Sequence, residues 1–182
     1  MKETAVLAID LQNGMLDGSE IVFHKENLIN NVKNILEVAR KRNYPVIMVQ
    51  HSGKKGGSLE PGTKGWAIND AFLSKESETV VHKSRPSAFF ETELDIVLKS
   101  EGIKNLIICG MQSEYCVDST SKDAFAHGYK VILVADGHST YDRKNISAEQ
   151  IIELENSVLG DWFAELKSSS GLVKSINNKE FD

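Results

Sequence analysis

Three side chains with complementary chemistry follow short apolar runs that are predicted to be strands. Asp10 ends the first run, Lys83 follows the run at residues 78–82, and Cys116 comes shortly after the run at residues 105–109. Ligands of an open α/β sheet bind beyond the carboxyl ends of its strands, so we expect these side chains to face one crevice. A thiol nucleophile, a carboxylate that moves protons and an ammonium that favours the thiolate could together cleave a carbonyl compound.

The position of Cys116 predicts an activated thiol. It lies just before a predicted helix at residues 117–127, and the positive end of a helix dipole lowers the pKa of a nearby thiol. A neighbouring ammonium from Lys83 would lower that pKa further. Backbone N–H groups of the same turn could hold the oxyanion of a tetrahedral intermediate, a contribution on the order of 3 kcal/mol.

Each of these residues also has an ordinary structural interpretation. Cys116 could be a core thiol, Asp10 a turn or capping residue, and Lys83 a solvated surface charge. Cys109, the second of the two cysteines, is predicted to be an inert core residue. The argument for a site therefore depends on the convergence of three strand ends and not on any one residue.

Apolar runs and amphipathic segments alternate along the chain, which predicts a mostly parallel sheet with helices on both faces. The predicted strands are residues 5–9, 46–49, 78–82, 105–109 and 130–135, with a sixth, edge strand at 171–176. The predicted helices are residues 25–42, 91–100, 117–127 and 147–166, the last opened by a capping box. The expected architecture is one three-layer α/β/α domain over residues 1–182, with a six-stranded, Rossmann-like sheet.

The composition narrows the function classes. The chain has 182 residues and a net charge of −5 without a strongly basic stretch, which argues against a nucleic-acid partner. The apolar runs are too short for a transmembrane helix, and the first residues lack the apolar region of a signal peptide. Two cysteines do not suggest a disulfide scaffold. We expect a cytoplasmic protein that acts on a small molecule, away from membranes.

Three segments resemble a known family when they are taken in order. They read Ala-Ile-Asp-Leu-Gln from residue 8, Lys-Ser-Arg-Pro-Ser-Ala-Phe from residue 83, and Gly-Met-Gln-Ser-Glu-Tyr-Cys-Val from residue 110. The chain resembles the isochorismatase-like cysteine hydrolases, a superfamily of nicotinamidases, N-carbamoylsarcosine amidohydrolases and isochorismatases. The resemblance implies a six-stranded parallel sheet and an Asp–Lys–Cys triad at Asp10, Lys83 and Cys116. It also implies a homo-oligomer, either a dimer or a tetramer.

The resemblance carries two further expectations around the nucleophile. Members of the superfamily usually have a non-proline cis peptide just before it, which here corresponds to Met111–Gln112. The N–H groups of Gln112 and Cys116 would then form the oxyanion hole.

The chain departs from the nicotinamidase pattern after its second strand. Nicotinamidases usually have an Asp-x-His motif there, with a further histidine, to bind a metal. This chain has His51 without an aspartate two residues before it, and the next histidine is His82. One imidazole is a poor metal site, so we expect no metal and no other cofactor, and we disfavour nicotinamidase activity. Leu16 stands near a position where the family often has Phe.

Six residues are candidates for the substrate pocket, although aromatic side chains more often pack than bind ligands. They are Gln12, His51, Trp66, Phe89, Tyr115 and His138.

The function that fits best is hydrolysis of a C–N bond in a small amide or ureide through a thioester on Cys116. Alternatives are an isochorismatase-type enol-ether hydrolase, a nicotinamidase and a degenerate family member that acts as a binding protein. A haloacid-dehalogenase-type phosphotransferase would need a second Asp where Gln12 stands. A dinucleotide-binding domain would need a Gly-x-Gly-x-x-Gly motif that the segment after Asp10 lacks.

Overall fold

The sheet has six strands, all parallel, in a computed structural model that describes residues 2–72 and 78–181. In chain order, β1 to β6 are Thr4–Ile9, Val46–His51, Thr79–Lys83, Asn105–Met111, Lys130–Ser139 and Ala164–Lys167. Their spatial order is β3-β2-β1-β4-β5-β6. The strand order reverses direction between β1 and β4, and ligands bind at this kind of switch point.

Helices cover both faces of the sheet. In chain order, α1 to α6 are Asn13–Leu16, Lys25–Lys41, Leu94–Ser100, Asp118–Ala126, Ala148–Trp162 and Ser169–Asn177. A 3₁₀ turn at Asp70–Phe72 and a π-helical turn at Ser113–Val117 complete the regular structure. Two apolar clusters fill the spaces between the layers, one beneath α2 and α6 and one beneath α3 and α4. The predicted three-layer α/β/α fold is confirmed.

The strand β1 shows why short apolar runs predict the strands of this sheet. Val6 and Ala8 belong to one cluster, whereas Ala5, Leu7 and Ile9 belong to the other. Successive side chains of a strand point to opposite faces, so a strand buried on both faces must be apolar throughout.

The prediction of an edge strand at residues 171–176 is wrong. This segment lies within α6, where Leu172 and Ile176 are buried four residues apart and therefore share one helical face. The Ser168 side chain caps the helix by accepting a hydrogen bond from the Gly171 N–H. The sixth strand is β6. The predicted helix at 147–166 extended into this strand, whereas α5 ends at Trp162.

Other boundaries agree with the predictions more closely. The capping box before α5 is present, with the Ser147 side chain accepting from the Gln150 N–H. The helix at 91–100 is shorter than predicted and begins at Leu94, and it ends before Gly102, which has a φ of 71°. Two strands extend further than predicted, β4 to Met111 and β5 to Ser139. Within the described residues, no helix is both long enough and apolar enough to cross a membrane.

Candidate active site

The three predicted catalytic side chains lie together at the carboxyl edge of the sheet. Asp10 directly follows β1, Lys83 is the last residue of β3, and Cys116 lies in the π-helical turn after β4. All three are buried, with exposed fractions of 0%, 3% and 8%. Parallel pairing aligns the strand ends, which brings residues from three distant parts of the chain into one crevice.

The Lys83 ammonium is at the centre of the cluster. Its Nζ lies 2.7 Å from Asp10 Oδ2, 3.1 Å from Cys116 Sγ and 3.2 Å from His51 Nδ1. It also donates to the Arg85 carbonyl oxygen at 3.1 Å. An ammonium has three N–H groups, so four acceptors must share them. His51 accepts through Nδ1 as a neutral imidazole, because burial and the Lys83 charge lower the pKa of its ring.

The predicted lowering of the Cys116 pKa is wrong. Burial raises the pKa of this thiol to about 12, the Asp10 carboxylate adds to the increase, and Lys83 offsets only part of it. Burial also raises the pKa of Asp10, although Lys83 opposes this shift. The resting site therefore keeps the proton on sulfur beside a carboxylate that is more basic than usual. This arrangement suits transfer of the thiol proton to Asp10 during attack.

The turn that carries Cys116 is held by backbone bonds at its start. The N–H groups of Tyr115 and Val117 both donate to the Gln112 carbonyl oxygen, at 3.2 and 3.1 Å. The Met111–Gln112 peptide bond is cis, at the position the resemblance implied. Cys116 lies within the π-helical turn, two residues before Asp118, the first residue of α4.

A buried side-chain network supports this turn from β5. The Asn156 Nδ2 donates to the Ala135 carbonyl oxygen at 3.0 Å, so its Oδ1 accepts the Nε2–H of His138 at 3.1 Å. The remaining ring nitrogen, Nδ1, then accepts from the Ser113 hydroxyl at 2.8 Å. Both nitrogens of His138 are occupied and the residue is 4% exposed, so its ring supports the turn and is not free to bind a ligand.

Sequence reasoning missed Ser113 and Asn156. Ser113 lies inside a segment that matched the family, but its hydrogen bond depends on a residue of another strand. Asn156 lies three residues before the buried Leu159, on the same helix and at the spacing of its inward-facing positions. A polar residue at such a position was the signal in the sequence that could have indicated a buried hydrogen bond.

Gln12 positions a loop and does not line the pocket with a free amide. Its Oε1 accepts from the His51 N–H at 2.8 Å, and its Nε2 donates to the carbonyl oxygens of His51 and Trp66 at 3.0 and 2.7 Å. Gln50 donates to the same Trp66 carbonyl at 2.7 Å. The Trp66 ring stacks on His82 with centroids 5.3 Å apart. The segment after β2 is thereby fixed beside the ends of β1 and β3.

The structure gives the other two aromatic candidates different surroundings. Phe89 is buried and stacks against His127, with centroids 4.8 Å apart. Tyr115 is 48% exposed, and the Arg143 guanidinium lies 5.4 Å from its ring centroid. Arg143 also pairs with Glu114 at 2.6 Å, an interaction that the sequence did not indicate.

Comparison with known proteins agrees with this geometry. Residues 4–160 match the model of the Isochorismatase domain. The chain belongs to the isochorismatase family. This assignment confirms the resemblance and makes the protein an isochorismatase-family hydrolase.

Relatives of this isochorismatase-family protein cover nearly its whole length. YddQ of Bacillus subtilis, described as an uncharacterized isochorismatase family protein, is 33% identical over 94% of this chain and 99% of its own. The ureidoacrylate amidohydrolase RutB of Agrobacterium fabrum is 30% identical over 94% of this chain and 90% of its own. A crystal structure of an isochorismatase from Pseudomonas putida KT2440 superimposes with a TM-score of 0.88 at 31% identity, covering 92% and 89% of the two chains.

The isochorismatase-family site contains three groups that metal ions use as ligands. An oxygen of Asp10, a ring nitrogen of His51 and Cys116 Sγ lie within 4.8 Å of one another. The Lys83 ammonium contacts all three residues. A positive charge in contact with every donor opposes a metal ion at the same place.

Proposed function

We propose that this protein is an amidohydrolase that cleaves a C–N bond of a small amide or ureide. The observation that carries the proposal is the contact of the Lys83 ammonium with both the Cys116 thiol and the Asp10 carboxylate, in a buried crevice at the strand ends. The relationship to an amidohydrolase supports it, because RutB is matched over nearly its full length.

In the first half of the reaction, Cys116 Sγ attacks the carbonyl carbon while its proton passes to Asp10. The N–H groups of Gln112 and Cys116 hold the resulting oxyanion, whose formation such donors favour. The C–N bond then breaks, and Asp10 returns its proton to the nitrogen as the amine or ammonia departs. The acyl group remains on sulfur as a thioester.

In the second half, a water molecule gives a proton to Asp10 and attacks the thioester. The C–S bond breaks, the acid is released, and the proton returns to the thiol. Lys83 remains an ammonium throughout and stabilises negative charge as it moves between carboxylate and thiolate. Its contacts with both groups suit that role.

We further propose that the protein works in the cytoplasm on a small molecule. Its two cysteines are free and buried, which fits a reducing compartment. Association into a dimer or tetramer remains a prediction.

An ammonia-release screen over small amides and ureides, with nicotinamide included, tests the function. Replacement Cys116→Ala removes the nucleophile, so we expect turnover to fall by at least about 10³-fold. Cys109→Ala is the matched control, because Cys109 is also buried but packs in the cluster beneath the other face of the sheet. It should retain nearly full activity.

Mass spectrometry of the enzyme during turnover should detect the acyl adduct on Cys116. Equal turnover in the two cysteine variants, or a release of ammonia that survives Cys116→Ala, would contradict the proposed mechanism. No release from any member of the panel would favour enol-ether hydrolysis or a binding role.

A further inference from the structure

One arginine outside the triad contacts the nucleophile turn, the π-helical segment Ser113–Val117. Arg143 lies in the loop between β5 and α5, and its Nε and Nη2 donate to Glu114 Oε1 at 3.1 and 2.6 Å. The central carbon of its guanidinium is 5.4 Å from the ring centroid of Tyr115, which is within the range of a cation–π interaction. Arg143 therefore contacts both of the residues that immediately precede Cys116.

The loop that carries Arg143 is itself fixed. The hydroxyl of the buried Tyr141 donates to the Met15 carbonyl oxygen at 2.6 Å, which ties the loop to α1. Asp142 Oδ1 accepts the Ala148 N–H at 2.8 Å, which ties the loop to the first residue of α5. Both residues before Arg143 are thus anchored, so the guanidinium reaches the nucleophile turn from a fixed base.

The Glu114 carboxylate depends on this arginine. Its side chain is 16% exposed, and its second oxygen, Oε2, is buried with no hydrogen-bond partner among the residues that the structure describes. A largely buried carboxylate that loses its counter-charge is costly. Without the guanidinium we expect Glu114 to rotate toward water, and the backbone of the turn to follow it.

We propose that Arg143 is a positioning residue for the nucleophile. By holding Glu114 and Tyr115, it keeps Cys116 Sγ against Lys83 Nζ, at 3.1 Å, and keeps the turn in the conformation that the reaction needs. A planar guanidinium can donate twice to a carboxylate and also pack beside a ring, which an ammonium does not do. A misplacement of about 1 Å can cost about 10²-fold in rate. This inference rests on the proposed function and adds to it a residue outside the triad.

Amide hydrogen exchange in the nucleophile turn tests the inference without a substrate. The N–H groups of Tyr115 and Val117 both donate to the Gln112 carbonyl oxygen, so their exchange reports opening of the turn. In Arg143→Gln we expect exchange at these amides to be about tenfold faster than in the wild type. Mass spectrometry of a peptide that covers the turn measures the rate.

The matched control is a second arginine–glutamate pair at the opposite edge of the sheet. Arg40 Nε and Nη2 donate to the carboxylate of Glu78 at 2.7 and 2.9 Å, just before the start of β3. Arg40→Gln also separates a guanidinium from a carboxylate, and it should leave exchange in the nucleophile turn unchanged. If either glutamine variant fails to fold, Arg143→Lys and Arg40→Lys repeat the comparison with the charge retained. Equal acceleration in the two variants, or none in either, would overturn the inference.

A double-mutant cycle shows whether Arg143 acts through Glu114. Glu114→Gln removes the carboxylate that the guanidinium neutralises. Added to Arg143→Gln, it should make exchange in the turn no faster than Arg143→Gln alone, because both changes act on one contact. Accelerations that multiply would show independent effects and contradict the inference.

Steady-state kinetics distinguish positioning from substrate binding. With a substrate from the ammonia-release screen, Arg143→Gln should lower kcat by about 10-fold to 100-fold and leave KM nearly unchanged. Arg40→Gln should keep both values. A raised KM with an unchanged kcat is the pattern of lost substrate binding and would count against positioning.

The failure of this inference differs from the failure of the proposed function. If exchange is faster in Arg143→Gln alone but the wild type releases no ammonia from any amide or ureide, the proposed function is contradicted and the hold of Arg143 on the turn is supported. If the wild type releases ammonia and Arg143→Gln retains the full kcat, the inference is overturned and the proposed function stands.

Discussion

At the scale of single residues, burial outweighs the local effects that would activate the thiol. A helix dipole typically contributes about 0.3–1 kcal/mol, whereas removing a charged group from water costs several kcal/mol. The Cys116 thiol consequently has a raised pKa despite its contact with Lys83. This shift favours the proposed mechanism, in which the thiol gives its proton to Asp10 as it attacks the substrate.

A second residue-scale constraint is the absence of a side chain at Gly110, next to the site. Its φ is 128°, and a Cβ placed there would lie 2.1 Å from the Ile9 carbonyl oxygen. We expect Gly110→Ala to lower the free energy of unfolding by about 3 kcal/mol or more, measured by urea denaturation. The control is Gly102→Ala, which also has a positive φ but meets no atom within 4 Å. That variant should lose only about 1 kcal/mol, and equal losses would refute the role of the clash.

At the scale of elements, the site depends on how the π-helical turn is braced. His138 of β5 and Asn156 of α5 hold the turn through Ser113. On the other side, the Ala88 N–H donates to Thr120 Oγ1 of α4 at 3.0 Å, which ties the segment after Lys83 to that helix. These contacts set the relative positions of the lysine and cysteine segments.

Removal of the Ser113 hydroxyl should disturb catalysis through position alone. Ser113→Ala leaves His138 Nδ1 without its donor, so the turn loses an anchor and kcat should fall by about 10-fold to 100-fold. KM should change little. Ser121→Ala is the control, because Ser121 is also fully buried but its hydroxyl has no hydrogen-bond partner in the described structure. Steady-state kinetics with a substrate from the screen would compare the two. Equal kcat values for Ser113→Ala and Ser121→Ala would show that the network does not position the nucleophile.

At the scale of the whole molecule, the order of the strands brings the site together. The packing of α5 beside α4 adds a pH dependence to the stability of the fold. The reversal between β1 and β4 aligns segments that follow strands from both halves of the chain. Away from the crevice, Glu155 of α5 faces Asp118 of α4. Burial, and then the Asp118 charge, raise the pKa of Glu155 to about 7.

The Glu155 shift predicts a stability change whose sign follows from proton binding. A raised pKa in the folded state gives a contribution that is fully present below pH 4.5 and is lost as the pH rises through about 7. Glu155→Gln should therefore match the wild type near pH 4.5. At about pH 8 it should be more stable by about 1 kcal/mol, or about 3 °C in Tm, after allowance for partial exposure. Thermal unfolding at both pH values measures this. Glu153→Gln is the control, because Glu153 is exposed on the same helix, and it should not be more stable than the wild type at pH 8. An equal gain in stability in both variants would attribute the effect to net charge and contradict the prediction.

The sequence by itself determined the fold class and most of the elements. Apolar runs without alternation identified five strands because a strand covered on both faces has no polar side. The Ser147 cap was predictable because its hydrogen bonds span three residues. Asp10, Lys83 and Cys116 could be selected because parallel strands end at one edge, although their distances to one another could not.

Only the tertiary structure decided the properties that depend on contacts between distant segments. Whether residues 171–176 form a strand or a helix was decided by packing, because Leu172 and Ile176 are buried on one helical face in the cluster beneath α2 and α6. The roles of Gln12 and His138 depend on hydrogen-bond partners that lie on other strands and loops. The pKa of the thiol depends on desolvation, which local sequence does not specify because it is set by everything that packs around the group.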